Sequence, residues 1–489
     1  MEKKIDLIFI PAPGVGHMVS MVEMAKLIVA RDHRLSITVL VMKRPGSITD
    51  LGSFAKSLSI HGDFDQTHIR FIDLPEPHPD SVAKFKNAVP FFASTVEVQK
   101  PIVREAIATE IIGRPDSGKF AGILVDMFCA SLVDVAKEFD VPSYIYIPSG
   151  ASFLGLMYYM NSLRDEQGRD ESEFMNSDAD AILNMPIFSN PFPAKLLPLV
   201  SIDKGSGSTM FLDLPKKFSL ANGIVVNTVA EIESRAISVL SGDEKVPPIY
   251  PVGPILNHNK NVGDKHDEIM RWLDNQPPSS VVFLCFGSMG TFSEAQVKEI
   301  AVALERSRHR FLWSLRRPSI ENKPTLAKEY DDPTEVLPEG FLERTGEMGK
   351  LIGWAPQVEV LSHKAVGGFV SHCGWNSTLE SLWCGVPVAT WPLYAEQQMN
   401  AFIMVKELEV AVEVKMDYRK SFSGLEDGDM NIVAATVIEN AIRRLMEVGR
   451  SDRVKKTSQE CRSAVIEGGS SYVSLGRFID DVINNVSIL

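Results

Sequence analysis

Short, mostly apolar runs alternate with stretches of helical periodicity along this chain, and the alternation begins twice. The first series opens at Ile5–Pro11 and turns at Pro13-Gly14-Val15-Gly16. A helix from about His17 to Ala30 follows, with Met18, Val22, Ala25 and Val29 on one face. Ser36–Met42, Phe120–Val125, Ser143–Ile147 and Gly223–Val226 continue the strands, and Leu132, Val135 and Ala136 mark another helix. Thr228 and Glu231 have the spacing of a capping box for the next helix. The second series opens at Val281–Phe286, turns at Gly287-Ser288-Met289-Gly290, and has a capping box at Ser293 and Gln296. The stripe Val297, Ile300, Ala301, Leu304 then reads as helix, and Phe311–Leu315, Val366–Ser371 and Val386–Thr390 as strands. Buried strands alternating with helices require a parallel sheet covered on both faces, which makes the chain α/β.

One hydrophobic core does not extend over 489 residues, so two such domains are expected. Their expected bounds are residues 1–248 and 269–465. A linker rich in Pro, Gly and charge lies at 249–268, and a C-terminal helix, 466–489, returns to the first domain. Between Gly155 and Lys217 the alternation fails, and a mixture of Met, Phe, Pro and charge reads as loops and helices around a pocket. Pro318–Glu335 reads as a charged loop.

The net charge of −13 and the lack of any Lys/Arg-rich run argue against a nucleic-acid partner, which needs a basic face. Five widely spaced cysteines with no Cys-x-x-Cys read as buried small hydrophobes, so neither a disulfide framework nor a metal site is expected. No window approaches 18 charge-free apolar residues, and the N-terminal apolar run is too short for a signal segment. A cytoplasmic monomer acting on small molecules, without membrane insertion, is the expectation.

The densest cluster of potential chemistry is Trp354–Gln397. Trp354 offers a flat face for a base, next to the backbone of Ala355. His372, Gly374, Trp375, Asn376 and Ser377 fall at a strand-to-helix turn, where free N–H groups and the helix dipole favour an anion. Ser377 and Glu380 also have capping-box spacing. Cys384-Gly385 reads as a helix stop, and Glu396-Gln397 places a carboxylate and an amide just past a strand, a combination suited to sugar hydroxyls. Outside this stretch, His17 follows the first strand and Asp126 closes the strand Gly122–Asp126. A carboxylate ending an apolar strand either caps the next helix or serves a partner.

Trp354–Gln397 resembles the signature box of plant secondary-product UDP-glycosyltransferases in length, order and end residues, and the resemblance runs from about Asp6 to the C-terminus. It implies the GT-B fold, with two Rossmann-like domains facing across a cleft. It implies UDP-glucose as sugar donor, with another UDP-sugar as the alternative, and places uracil on Trp354 and Ala355 with Gln357 on the same UDP-sugar side. The diphosphate falls at His372, Asn376 and Ser377 beside Gly374 and Trp375, the ribose at Glu380 and the hexose at Glu396 and Gln397. Ser288 and Gly16 belong to the same donor side. His17 matches the family's general base and Asp126 the acid that orients it. No cofactor or metal is implied. Ser149 stands where the family often contacts the sugar 6-hydroxyl, although the family's usual Thr is absent and position 148 is Pro. Phe128, Phe153, Met157, Phe192, Leu196 and Leu197 are the expected apolar wall for a phenolic, flavonoid or terpenoid acceptor.

A nicotinamide-dependent dehydrogenase is disfavoured. Gly14-Val15-Gly16 begins a G-x-G-x-x-G, but its third glycine is Val19, and the second strand ends at Met42-Lys43 without a ribose-binding acid. A non-catalytic sugar-nucleotide-binding protein would tolerate loss of His17 or Asp126, and both are present.

Overall fold

The computed structural model of the protein describes residues 4–43, 68–78, 88–114, 118–175, 181–257, 264–318, 327–420 and 432–488. The first sheet contains β1 (Ile5–Ile10), β2 (Leu35–Val41), β3 (Ile69–Asp73), β4 (Lys119–Asp126), β5 (Ser143–Ile147), β6 (Gly223–Val226) and β7 (Ile249–Pro251). All its pairings are parallel, in the order β3-β2-β1-β4-β5-β6-β7. The second sheet contains β8 (Val281–Cys285), β9 (Arg310–Ser314), β10 (Gly349–Ile352), β11 (Val366–Ser371), β12 (Val388–Thr390) and β13 (Ala411–Glu413). It is also parallel, in the order β10-β9-β8-β11-β12-β13.

Both sheets therefore reverse direction at one place, β1/β4 in the first and β8/β11 in the second. A crevice opens there at the carboxyl ends of the strands, the usual place for a ligand in a doubly wound sheet. The helices that bear on these crevices are α1 (Val15–Arg31), α2 (Ala151–Asp165), α3 (Glu294–Ser307), α4 (Gln357–Ser362), α5 (Trp375–Cys384), α6 (Gln397–Phe402) and α7 (Ser470–Ile488). The predicted stripe of α1 is wholly inside: Met18, Val22, Ala25 and Val29 pack with Leu7, Phe9, Val39 and, from α7, Phe478 and Val482. Asn485 of α7 donates to the Tyr144 hydroxyl at 2.9 Å, and Arg31 of α1 lies 3.4 Å above the ring of Tyr472.

Three details differ from the sequence reading. Ile249–Pro251 is not linker but β7, in register with β6 through Ile224↔Ile249, and Asp264–Asp274 is helical. The stretch between them includes 258–263, outside the described residues. Thr228 and Glu231 do not form a capping box. The helix starts later, at Ser234, and Thr228 instead bonds the buried carboxylate of Glu233, which takes the N–H groups of Ala151 (2.7 Å) and Ser152 (2.9 Å) at the start of α2. The Ser293 box is half made: Ser293 accepts from Gln296 N, but the Gln296 side chain bonds the backbone of Val433.

The two units meet along a polar and aromatic seam. Glu407 accepts from the backbone N–H groups of Ser189 (2.9 Å) and Asn190 (2.8 Å), and Arg419 donates to the carbonyls of Lys195 and Leu197, both at 2.6 Å. No described helix is long and apolar enough to cross a membrane.

Candidate active site

His17 is the third residue of α1, just past β1, and Asp126 ends the neighbouring strand β4. Their side chains meet at 2.7 Å between Nδ1 and Oδ2. Asp126 has no exposed surface, and its second oxygen accepts from Phe128 N at 3.0 Å. A carboxylate can only accept here, so the Nδ1 proton points at Asp126 and Nε2 is left with its lone pair. Burial pulls the pKa of His17 down, but the charge of Asp126, the hydrogen bond to it and the more distant Glu396 outweigh that, and the net direction is up. The Phe128 ring sits 5.5 Å from the imidazole, and Gly16 is exposed one residue before it.

At the second crevice, His372 follows β11 and α5 begins at Trp375 with Gly374 as N-cap. Cys373 between them has φ 62°, a left-handed conformation that a non-glycine residue adopts at a cost and that recurs at functional turns. Gly287, at the turn after β8, has φ 72°, and a Cβ there would lie 2.4 Å from His372 Nε2. A Cβ at Gly374 would lie 2.6 Å from the same atom. Two glycines thus make room for one imidazole. Burial first, and the charge of Arg316 second, push the His372 pKa down to about 3, so the ring is neutral. Its Nδ1 is buried without a hydrogen-bond partner, and so is Oδ1 of Asn376 in the first turn of α5. Unpaired polar atoms beside the free N–H groups of a helix start form a cradle suited to an anion.

Ser377 and Glu380 are not a cap, since α5 has already begun. Gln357 Nε2 donates to both, at 2.7 Å to Ser377 Oγ and 2.6 Å to Glu380 Oε2. Burial raises the Glu380 carboxyl to about 7. Trp354 is 55% exposed, next to the buried Ala355. The guanidinium of Arg316 lies 5.4 Å from the Trp354 ring centre, and the backbone N–H of Trp354 donates to Glu329 at 3.1 Å. Ser288 uses its carbonyl to accept from Arg316 at 3.1 Å.

Ala395, with φ 57°, delivers Glu396 and Gln397 to the start of α6. Gln397 Oε1 accepts from Leu393 N (2.8 Å) and Tyr394 N (3.0 Å), which orients its amide and leaves Nε2 as the remaining donor group. Burial raises the pKa of Glu396, while the His17 charge opposes the shift. That mutual field links the acid of the second unit to the imidazole of the first.

Several expected site residues have other employment. Trp375 directs its indole to the first unit, donating to the Asn227 carbonyl at 2.7 Å, so only its backbone N–H belongs to the α5 cradle. Phe192 is a correction: it has no exposed surface and joins Phe188 (5.2 Å) and Phe402 (4.9 Å) in a ring cluster across the seam. Met157 and Leu197 likewise have no exposed surface and are packing residues, not walls of an opening. Phe153 packs against Phe211 with the rings tilted and 5.7 Å apart, and is 5% exposed. Leu196 borders a groove of about 330 Å³ with Asn190, Phe402 and Met416. Ser149 is buried with its Oγ unpartnered, and the Phe128 ring lies beside His17. The sequence reading missed Arg316 and Asn400. Asn400 donates to the Cys373 carbonyl at 2.9 Å and keeps Oδ1 unpaired, holding the left-handed turn from below.

Residues 248–450 match the family model described as UDP-glucoronosyl and UDP-glucosyl transferase. The chain is 51% identical over 485 residues to UDP-glycosyltransferase 71E1 of Stevia rebaudiana, covering 98% of each chain. It is 50% identical over 493 residues to a putative UDP-glucose flavonoid 3-O-glucosyltransferase 3 of Fragaria ananassa, covering 99% and 100%. Among solved structures, a Siraitia grosvenorii transferase in complex with UDP superposes with TM-score 0.85 at 46% identity, covering 98% and 100%. Medicago truncatula UGT71G1 complexed with UDP-glucose gives 0.83 at 41% identity, covering 98% of each. The chain belongs to the plant UDP-glycosyltransferases, family 1 glycosyltransferases of GT-B fold.

Proposed function

We propose that the protein transfers glucose from UDP-glucose to a hydroxyl of a small hydrophobic plant metabolite and inverts the anomeric carbon, giving a β-glucoside. The observation that carries this reading is the His17–Asp126 pair at 2.7 Å, in electrostatic contact with Glu396 of the opposite unit. In the proposed step His17 Nε2 takes the acceptor hydroxyl proton as that oxygen bonds to the sugar C1. The bond from C1 to the diphosphate breaks, and its electron pair leaves with UDP. Asp126 holds the imidazole in the required tautomer and stabilises the imidazolium. The α5 N–H groups, His372, Asn376 and Ser377 take up the charge developing on the diphosphate, so the reading needs no metal ion. Trp354 stacks on the uracil, Gln357 and Glu380 meet the ribose, and Glu396 and Gln397 meet the sugar. Phe128 and Ser149 border the acceptor. The proposed setting is a cytoplasmic monomer in which the unit of the first sheet, through β7, serves the acceptor and the unit of the second sheet the donor. Both named relatives, of Stevia and Fragaria, support a sugar donor carried on UDP.

The test is incubation with UDP-glucose and a panel of phenols, flavonoids and hydroxylated terpenoids. Acceptor-dependent UDP release, with an axial H1 on the product by NMR coupling, is expected. No acceptor-dependent release from any member would favour a binding protein, and an α-linked product would overturn the single displacement.

Gln397→His tests the sugar contact. One ring nitrogen can accept from only one of the two backbone N–H groups that Gln397 Oε1 serves, and the side-chain NH₂ is lost. The expected result is a roughly tenfold or larger fall in kcat/KM for UDP-glucose, about one lost hydrogen bond to a polar ligand. An unchanged donor preference would remove Gln397 from the site.

A further inference from the structure

Arg316 lies two residues past β9, where Arg316–Arg317 pairs antiparallel with Lys328–Glu329. It is 5% exposed. Among the described residues its guanidinium makes one hydrogen bond, to the Ser288 carbonyl at 3.1 Å, and no ion pair within 4.0 Å. It also lies 5.4 Å from the Trp354 ring centre, within cation–π range. Its ladder partner Glu329 spends one oxygen on Trp354 N (3.1 Å) and the other on Lys265 (2.7 Å).

A buried cation is costly unless compensated, and the surroundings supply little negative charge. The start of α5 is positive, His372 is neutral with an unpaired Nδ1, and the Glu380 carboxyl is raised to about 7 by burial and held by Gln357. The charge of Arg316 is felt at His372, so it reaches the same cradle. Arg316 also touches both other parts of the donor site, the turn of Ser288 and the platform of Trp354.

We propose that Arg316 is a positioning residue that reads the charge of the nucleoside diphosphate: it fixes the base platform and the Ser288 turn, and its positive charge is balanced when the diphosphate enters the α5 cradle. The inference rests on the donor-site reading above. It separates Arg316 from a purely mechanical prop, because a prop would serve uridine and UDP equally while a charge serves only UDP.

The experiment is calorimetric titration of UDP and of uridine into the intact protein, wild type and variants. Arg316→Gln keeps a donor for the Ser288 carbonyl and removes the charge; Arg316→Met replaces it should the Gln variant not fold; Arg316→Lys keeps the charge and loses the planar fork. The neutral variant is expected to bind UDP about 10²-fold more weakly and uridine within about threefold of wild type, the size of effect seen when one partner of a buried charge pair is removed. Arg316→Lys is expected to recover UDP binding to within about tenfold. Equal losses for UDP and uridine would show that Arg316 only shapes the platform and would overturn the proposal, as would unchanged UDP binding. If the wild type itself binds no UDP, the donor-site reading falls first, a result the variants cannot mimic.

Discussion

His17→Ala lowers kcat by about 10²–10⁴-fold, the usual contribution of a general base, while UDP binds within about threefold of wild type. In barrier terms the loss is about 3–5 kcal/mol. An acceptor hydroxyl is a poor nucleophile near neutral pH, and no other described imidazole approaches Asp126. The UDP half of the prediction follows from topology: His17 follows β1 of the first sheet, whereas His372, Asn376 and Ser377 follow β11 of the second. The measurement is single-turnover transfer beside calorimetric UDP titration on the same preparation. Transfer that survives within tenfold removes His17 from the base role, and loss of UDP binding in parallel would make it a donor contact. The pH profile adds a sign. Only neutral imidazole can take a proton, so activity rises with pH through the pKa of His17. Asp126 and Glu396 hold that pKa above the ordinary 6.5, so the acid limb of kcat/KM is expected above 6.5.

His17, Asp126 and His372 were legible as candidates because each stands at the end of a strand whose apolar run is itself readable. β1 delivers His17, β4 delivers Asp126 and β11 delivers His372, and all three strands are buried over most of their length. The edge strands were not legible. β3, β10 and β13 are short, carry charge and are only partly buried, since an edge faces solvent on one side. Arg316 was hidden for a different reason. In sequence it is one of two adjacent arginines at a loop entrance, and only the fold buries the first and exposes the second. Three residues of the expected apolar wall are closed into packing. Phe192, Met157 and Leu197 have the composition of a pocket lining, but residue type does not distinguish a ring facing a cavity from one closing a seam, and tertiary packing put Phe192 against Phe402. Trp375 shows the converse: a motif residue at the start of α5 whose indole bonds the first unit.

Asp126→Asn is expected to lower kcat by about 10²–10⁴-fold, more than Asp126→Ala, although Asn is the closer isostere. The reason lies in the fixed partners of the carboxylate. Oδ1 accepts from Phe128 N at 3.0 Å and Oδ2 from His17 Nδ1 at 2.7 Å. An amide in this place must keep its oxygen on Phe128 N, because N–H cannot face N–H, and so presents its NH₂ to His17 Nδ1. Nδ1 then becomes an acceptor and the ring proton moves to Nε2, the atom that has to receive the acceptor's proton. Alanine removes the orienting bond and leaves a small cavity but does not impose the wrong tautomer. It also removes the charge that raises the His17 pKa, so in Asp126→Ala the acid limb of kcat/KM moves to lower pH. Added to His17→Ala, Asp126→Asn should cost little more, since residues acting as one unit do not add. Equal activity of the Asn and Ala variants would contradict the tautomer argument, and an additive double variant would show that Asp126 acts on something other than His17.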